Sequence, residues 1–309
     1  MEAVVDLIII GGGPAGLAAA IYGARANLKT ILIEKSVPGG KLLNTHKIDN
    51  YPGFKELSGT DLAIKFIDHA ESLGIKIEGD EVSKIENIED EIKTVILKSN
   101  KKYQTKSIIL AMGMNPKKLP IKEYQTYFGH GLSTCIVCDG VFYRNKDIAV
   151  IGGGTSASEE SLFASKIVRN IYIINLFDKL DVVDSVKEKI IQAKNIHIKY
   201  NYELIKINGD GKDISSITIK NRKTNEIENI NVSGVFSYIG WIPATKFLQD
   251  SKILNKDNFV TIDFKTGKTK IRGVFAAGDI VTKDFHQVSG AISDGTNAAL
   301  SAKKYLDSL

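Results

Sequence analysis

Hydrophobic and polar positions in this chain switch between two periods, and the switches mark out its elements. Residues 4–10 (VVDLIII) form an apolar run that leads straight into glycines. An alanine-rich stretch follows, and a second apolar run, TILIE, ends in Glu34. A short unbroken apolar run reads as a strand buried on both faces, so the opening predicts strand, glycine turn, helix, strand. Residues 60–73 set Asp61, Lys65, Asp68 and Glu71 on one face and predict an amphipathic helix. Between 75 and 110 the runs IKIEG, TVILKS and SIILAMG predict strands. Residues 184–194 read as helix, and 196–240 as short strands broken by the turn NGDGKD. GVFAAGD at 273–279 predicts a buried strand, and SGAISDGTNAALSAKKYL a closing helix rich in small residues. Pro116, Pro120 and Pro243 mark crossings between domains.

The opening carries a second signal. Gly11, Gly13 and Gly16 follow the first strand, with Pro14 and Ala15 between them. Glycines there allow a tight turn, close backbone approach to a pyrophosphate and tight helix-on-strand packing, while N–H groups at the helix start attract phosphate. Glu34 follows Gly13 by 21 residues, where a carboxylate can accept hydrogen bonds from a ribose diol. The pattern returns at IAVIGGGTSASEE. Gly152, Gly154 and Ala157 repeat Gly11, Gly13 and Gly16 at a constant offset of 141, which carries Glu34 onto Asn175. Two dinucleotide-type units therefore occur in register. The second, without its ribose acid, is either a nucleotide site of different specificity or a structural unit with an empty site.

Composition narrows the class. At 309 residues, 43% hydrophobic and 25% charged, the chain is expected to form two ordinary globular domains. The net charge of +5 comes from scattered lysines, without the basic stripe of a nucleic-acid binder. No apolar run approaches the roughly 20 residues that span a bilayer, and the N-terminus lacks a basic leader, so cytoplasmic residence is the expectation.

The only two cysteines, Cys135 and Cys138, lie in STCIVCDG. Zinc needs about four ligands and few candidates are near. A structural disulfide would close too small a loop to stabilise much. Inert buried thiols and a redox-active dithiol are the other readings. Spacing suits reversible closure, and a neighbouring helix N-terminus can lower one thiol's pKa. Asp139 directly follows. It can hold a proton for a leaving thiolate, or simply cap the next turn. A nicotinamide delivers a hydride, a flavin accepts it, and a dithiol takes electrons in pairs. Two nucleotide units with one CxxC thus point to a chain from donor through flavin to disulfide to an external acceptor.

The stretches GGGPAG (11–16), GG (39–40), NYPGF (50–54), LAMG (110–113), CIVCDG (135–140), GGGTSASEE (152–160), YIGWIPAT (238–245), AAGDI (276–280) and HQ (286–287) occur in an order that resembles the low-molecular-weight, bacterial-type thioredoxin reductases. The likeness spans essentially the whole chain. It implies an α/β fold of two Rossmann-like domains with three-layer sheets, the second inserted in the first. The implied discontinuous FAD domain is 1–114 plus 246–309, and the NAD(P)H-binding-like domain, carrying the CxxC, is 115–245. It implies that Gly11, Gly13, Pro14, Ala15, Gly16, Glu34, Gly40, Asn50, Gly113, Gly278, Asp279 and Gln287 serve FAD. Gly152, Gly154, Ala157 and Asn175 would serve the nicotinamide nucleotide. Cys138 would face the flavin, Cys135 would exchange with thioredoxin, and Asp139 would be the general acid. A homodimer is implied, and no metal.

The sequence departs from that family where NADPH-dependent members carry arginines for the 2′-phosphate. Here the stretch is Asn175, Leu176, Phe177, Asp178, Lys179, Leu180, Asp181. NADH, with Asn175 on the ribose, is the favoured donor. NADPH, with Lys179 or Arg169 supplying charge, and ferredoxin, an acidic partner for a basic chain, are the alternatives. His286 stands where the family usually has arginine. Outside the main reading lie a partner reductase for a peroxide-detoxifying dithiol protein and a non-enzymatic flavin redox sensor.

Overall fold

The computed structural model describes residues 4–45, 47–249, 251–283 and 286–309. The chain forms two compact units, Met1–Asn115 with Pro243–Leu309, and Pro116–Ile242. It is a mixed α/β protein in which the second unit is inserted in the first.

The first unit opens with β1 (Val5–Ile10), α1 (Pro14–Arg25), β2 (Thr30–Glu34), α2 (Gly59–Ser72) and β3 (Lys76–Gly79). A meander follows, β4 (Val82–Glu86), β5 (Lys93–Leu97) and β6 (Lys102–Leu110). The sheet runs β3-β2-β1-β6-β5-β4. On its edge away from β1, β6 serves two neighbours: its first half pairs antiparallel with β5, and Ile108–Leu110 pair parallel with a strand returning from the C-terminal end.

Side chains of β1 alternate between two cores. Leu7 and Ile9 join the alanine-rich face of α1, whereas Ile8 and Ile10 pack among Val95, Leu97 and Ile108. α2 is amphipathic as its spacing predicts, with Leu62, Ala63 and Ala70 buried and Ser58 as N-cap, its hydroxyl accepting from Asp61 N–H at 3.0 Å.

The chain crosses out on β7 (Met114–Pro116). The second unit contains α3 (Tyr124–Tyr127), β8 (Leu132–Ser133), α4 (Ile136–Asp139), β9 (Asp147–Ile151), α5 (Thr155–Ala164), β10 (Asn170–Asn175), α6 (Asp184–Gln192) and β11 (Ile196–Tyr200). An antiparallel meander, β12 (Tyr202–Gly209), β13 (Ile214–Asn221) and β14 (Ile227–Asn231), precedes β15 (Gly234–Ser237). Its main sheet is wholly parallel, β11-β10-β9-β15-β8. α4, α5 and α6 cover one face through Ile136, Ala157, Ala164 and Ile190, and the meander covers the other through Ile207, Ile217 and Ile219. The second unit is thus three-layered, and in the first the sheet lies between the helices and a covering that includes Leu248, Ile253, Val260 and Ile280.

The return crossing, β16 (Trp241–Pro243), pairs with β7. Then β17 (Val274–Ala276) and α7 (Val288–Leu306) complete the first unit. The small residues of α7 have a packing reason. A Cβ on Gly295 would lie 2.1 Å from the Ala15 carbonyl oxygen, so α7 and α1 meet backbone to backbone. Among the described residues, no helix is long and apolar enough to cross a membrane.

Phe275 is 1% exposed in β17 and meets Tyr305 edge-on. Phe275→Ala is expected to lower the unfolding free energy by about 3–5 kcal/mol, read from the midpoint in a urea titration.

Candidate active site and nucleotide cradles

In the first unit the glycine turn is built by close backbone contacts. Gly11 has φ +105°, and a Cβ there would lie 2.4 Å from the Ala111 carbonyl oxygen. One on Gly16 would lie 1.8 Å from the Gly11 oxygen. These two glycines hold helix, strand and turn together. Gly13 differs: a Cβ there would meet only the Gly40 Cα, at 3.9 Å. Gly13 is also the N-cap of α1, with no side-chain cap and Pro14 in the first turn. Space and free N–H groups are therefore left together at the helix start, the arrangement a pyrophosphate requires.

The remaining predicted residues of this cradle converge on the same turn. Glu34 accepts from Gly12 N–H at 2.7 Å and from Ser36 N–H at 3.0 Å, so its carboxylate is fixed beside the glycines. Gly40 stands over Gly13, and a Cβ on Gly278 would strike the Ala15 Cβ at 2.8 Å. Gly113, at φ +61°, faces open space. Asn50 donates to Gln287 at 3.1 Å, joining two predicted residues distant in sequence. Asp279 receives the Lys41 ammonium at 2.7 Å and faces His286 Nδ1 at 3.3 Å. Burial alone would raise its pKa, but Lys41, with His286 and Lys283, holds the carboxyl below its ordinary range. Sequence reasoning missed Lys41. His286, whose role it left open, takes the place of the family arginine beside Asp279. The cradle fits a flavin dinucleotide.

The second turn repeats the construction with different contents. A Cβ on Gly152 would lie 2.3 Å from the Tyr238 carbonyl oxygen, matching Gly11 on Ala111. Gly154 caps α5 without a side-chain partner, and nothing lies within 4 Å of where its Cβ would be. Ala157 is buried where the first turn needs glycine. Asn175, 3% exposed, turns its carboxamide against Gly153 and donates to the Phe177 and Lys179 carbonyls at 3.2 and 2.7 Å. Its N–H groups therefore brace the following loop. Asp181 N–H donates to the Gly153 carbonyl at 2.8 Å.

Two cations near that loop were invisible to local pattern reading. Arg222, in the β13–β14 turn, donates to the Leu176 carbonyl at 3.3 Å, and Lys223 lies 4.0 Å from Asp178. Arg169, in contrast, forms a two-point pair with Asp147 at the opposite end of β10 from Asn175. A strand of that length puts it roughly 20 Å from the loop, so it supplies no charge there.

Cys135 and Cys138 form a disulfide with Cα atoms 5.4 Å apart. Cys135 is buried at 8% exposure, and Cys138 is exposed. The first turn of α4 leaves backbone N–H groups without helical partners, and each finds another. Ile136 N–H donates to the Tyr238 hydroxyl at 2.8 Å, and Cys138 N–H to Cys135 Sγ at 3.1 Å. Val137 N–H faces the Glu160 carboxyl. Asp139 follows on the same helix and does not cap the next turn. Exposed Val141 (52%) and Phe142 (72%) adjoin the pair.

A protein with two such turns and a disulfide on the inserted unit has a known lineage. The pyridine nucleotide-disulphide oxidoreductase family matches residues 5–295. The chain belongs to that family. It is 40% identical to a 34.2 kDa protein in the rubredoxin operon of Clostridium pasteurianum, over 99% of this chain and 98% of that one. It is 38% identical to the thioredoxin reductase of Mycoplasmopsis pulmonis, over 96% and 95%. The crystal structure of Lactococcus lactis thioredoxin reductase is similar with a TM-score of 0.92 and 38% identity, covering 99% of this chain and 100% of that one. The family implies FAD and a nicotinamide nucleotide.

Gly13→Ala is expected to cost the apoprotein less than about 1 kcal/mol, yet to weaken flavin binding about tenfold or more, read from flavin absorbance per chain. Burial pushes the Glu160 carboxyl up to about 7. Because that value is raised, its favourable contribution is complete below the ordinary carboxyl pKa and is lost as pH rises through about 7. Glu160→Gln is therefore expected to gain melting temperature on the wild type as pH rises from the ordinary carboxyl value of 4.5 to about 7, and a gap that stays constant across that range would refute this.

Proposed function

We propose that the chain is a flavoprotein thioredoxin reductase, passing electron pairs from a reduced donor to the Cys135–Cys138 disulfide and on to thioredoxin or a thioredoxin-like protein. The observation that carries this is a formed disulfide on α4, beside exposed Val141 and Phe142, in a unit built on the second glycine turn. FAD, when bound, accepts a hydride and hands its electron pair to the disulfide. We assign 1–114 with 246–309 to FAD and 115–245 to the nicotinamide nucleotide.

The chain's own groups set the rest. Gly11, Gly13, Pro14, Ala15 and Gly16 receive the pyrophosphate, and Glu34 the adenosine ribose. Gly40, Asn50, Gly113, Gly278, Asp279 and Gln287 line the flavin half. On reduction the S–S bond breaks, and Cys138 N–H, already on Cys135 Sγ, stabilises a thiolate there. Asp139 holds the proton exchanged with the second sulfur. In this disulfide form the more exposed residue of the pair is Cys138, whereas the family resemblance implies Cys135 as the exchanging residue. Val141 and Phe142 offer the partner an apolar surface.

NADH is the donor we favour, held at Gly152, Gly154 and Ala157 beside Asn175. The loop presents Asp178 and apolar Leu176 and Phe177. The nearby cations Arg222 and Lys223 face the Leu176 carbonyl and Asp178, which supports a nucleotide without a 2′-phosphate. A homodimer working in the cytoplasm completes the proposal.

Anaerobic addition of NADH is expected to bleach the flavin, with NADPH acting only at much higher concentration. Bleaching by reduced ferredoxin alone would replace the nicotinamide donor with an iron–sulfur protein. With thioredoxin present, Cys135→Ser and Cys138→Ser are each expected to lose turnover by at least about a thousandfold. Whichever variant traps a mixed disulfide retains the exchanging sulfur. Flavin that bleaches normally while thioredoxin stays oxidised in the wild type would favour a redox sensor.

A further inference from the structure

Glu160 is a half-buried residue whose carboxyl the proposed electron path does not use. It lies on α5, the helix opened by the second glycine turn, and packs beneath α4. Its Oε2 is buried and has no hydrogen-bond partner among the described residues. The carboxyl faces the Tyr238 hydroxyl and the Val137 N–H. The Tyr238 hydroxyl accepts from Ile136 N–H, and Cys135 Sγ accepts from Cys138 N–H. Three successive N–H groups in one helical turn therefore end on a phenol, a carboxyl and the buried sulfur.

This geometry sets the carboxyl and the sulfur against each other. A full negative charge on either disfavours charge on the other, because the two face adjacent N–H groups of the same short turn in a poorly solvated place. The other groups around Glu160 do not relieve it. Glu159, on the same helix, repels it; Asp139, on α4, repels charge at Tyr238. The strand residues that share a core with α5, namely Ile148, Val150, Ile171 and Ile173, are apolar and offer it no charge. α6 also packs on α5, and its Asp184, Lys187, Glu188 and Lys189 contribute nothing to the carboxyl's shift. Among the described residues no cation lowers its pKa. With the disulfide intact, Glu160 already holds its proton up to about pH 7.

We propose that Glu160 is a redox-linked proton acceptor and positioning residue for the cysteine pair. When two electrons break the Cys135–Cys138 bond, two protons enter with them. One ends on Cys138 and one on the Glu160 carboxylate, and Cys135 remains a thiolate held by Cys138 N–H. Charge then balances at the turn without protonating the sulfur that needs to stay reactive. On reoxidation both protons leave. The effect appears only above about pH 7, where the oxidised protein has released the carboxyl proton. Below that, Glu160 is protonated in both redox states.

The inference rests on the pair being redox-active, not on thioredoxin being the acceptor, and the test uses neither thioredoxin nor the physiological donor. The FAD-loaded enzyme is equilibrated with dithiothreitol redox buffers across pH, and the reduced fraction is read by alkylating thiols. The buffer's own protons are common to all variants. In the wild type, the equilibrium constant for reduction is expected to fall with pH above neutrality more steeply than in Glu160→Gln, by up to about tenfold per pH unit. Asp139→Asn is expected to keep the extra steepness. Parallel profiles for wild type and Glu160→Gln, or extra steepness lost only in Asp139→Asn, would overturn the proposal. A disulfide that dithiothreitol cannot reduce at all would instead overturn the redox reading itself. Should Glu160→Gln fail to fold, Asp139→Asn alone decides. Its reduced-minus-oxidised infrared spectrum near pH 8 gains a protonated-carboxyl band if Glu160 takes the proton, and lacks it if Glu160 does not.

Discussion

The first turn of α4 imposes the constraint from which the chemistry follows. Its backbone N–H groups need acceptors, and one of those acceptors is the sulfur of Cys135. A sulfur in that position is prepared for negative charge before any electron arrives. Ile136 anchors the turn in the core beneath, and Tyr238 holds it from the side. Tyr238 also presents its carbonyl to Gly152 and its N–H to Ile151, at the second glycine turn. One residue thus ties the nucleotide cradle of the inserted unit to its disulfide.

The two glycine turns show how one construction accommodates different chemistry. In both, the first glycine lies against a strand-end carbonyl, and the helix N-cap faces open space. They diverge at the end of the second strand. Glu34 reaches back to Gly12 N–H and keeps a carboxylate at the turn. Asn175 occupies the matching place but directs its N–H groups into its own loop. Replacing an acid with an amide therefore changes which hydrogen-bonding groups the turn offers, while the fold is retained. The alanine at 157 further shows that the third glycine is a packing requirement peculiar to α1.

Much of this was legible in the sequence. The unbroken strand at 5–10, the glycine spacing and the offset between repeats fix two Rossmann-like units because each reflects a local backbone requirement. The small residues of α7 were legible as a pattern, and their cause, contact with the Ala15 backbone, needed the fold. What was not legible arises from residues far apart in the chain. Arg222 reaches the 176–178 loop from a hairpin more than 40 residues away, and Lys41 meets Asp279 across 238 positions. Glu160 was visible within GGGTSASEE, but nothing in that string tells which of two adjacent glutamates turns inward. Arg169 illustrates the converse: close to Asn175 in sequence, it lies at the other end of the strand.

The central claim is that the cysteine pair stores an electron pair in addition to the flavin. Anaerobic titration of the FAD-loaded protein with dithionite tests it most directly. The wild type is expected to take up two electron pairs per chain, and Cys135→Ser one. A wild type saturated by a single pair, with its thiols still unavailable to alkylation, would contradict the account.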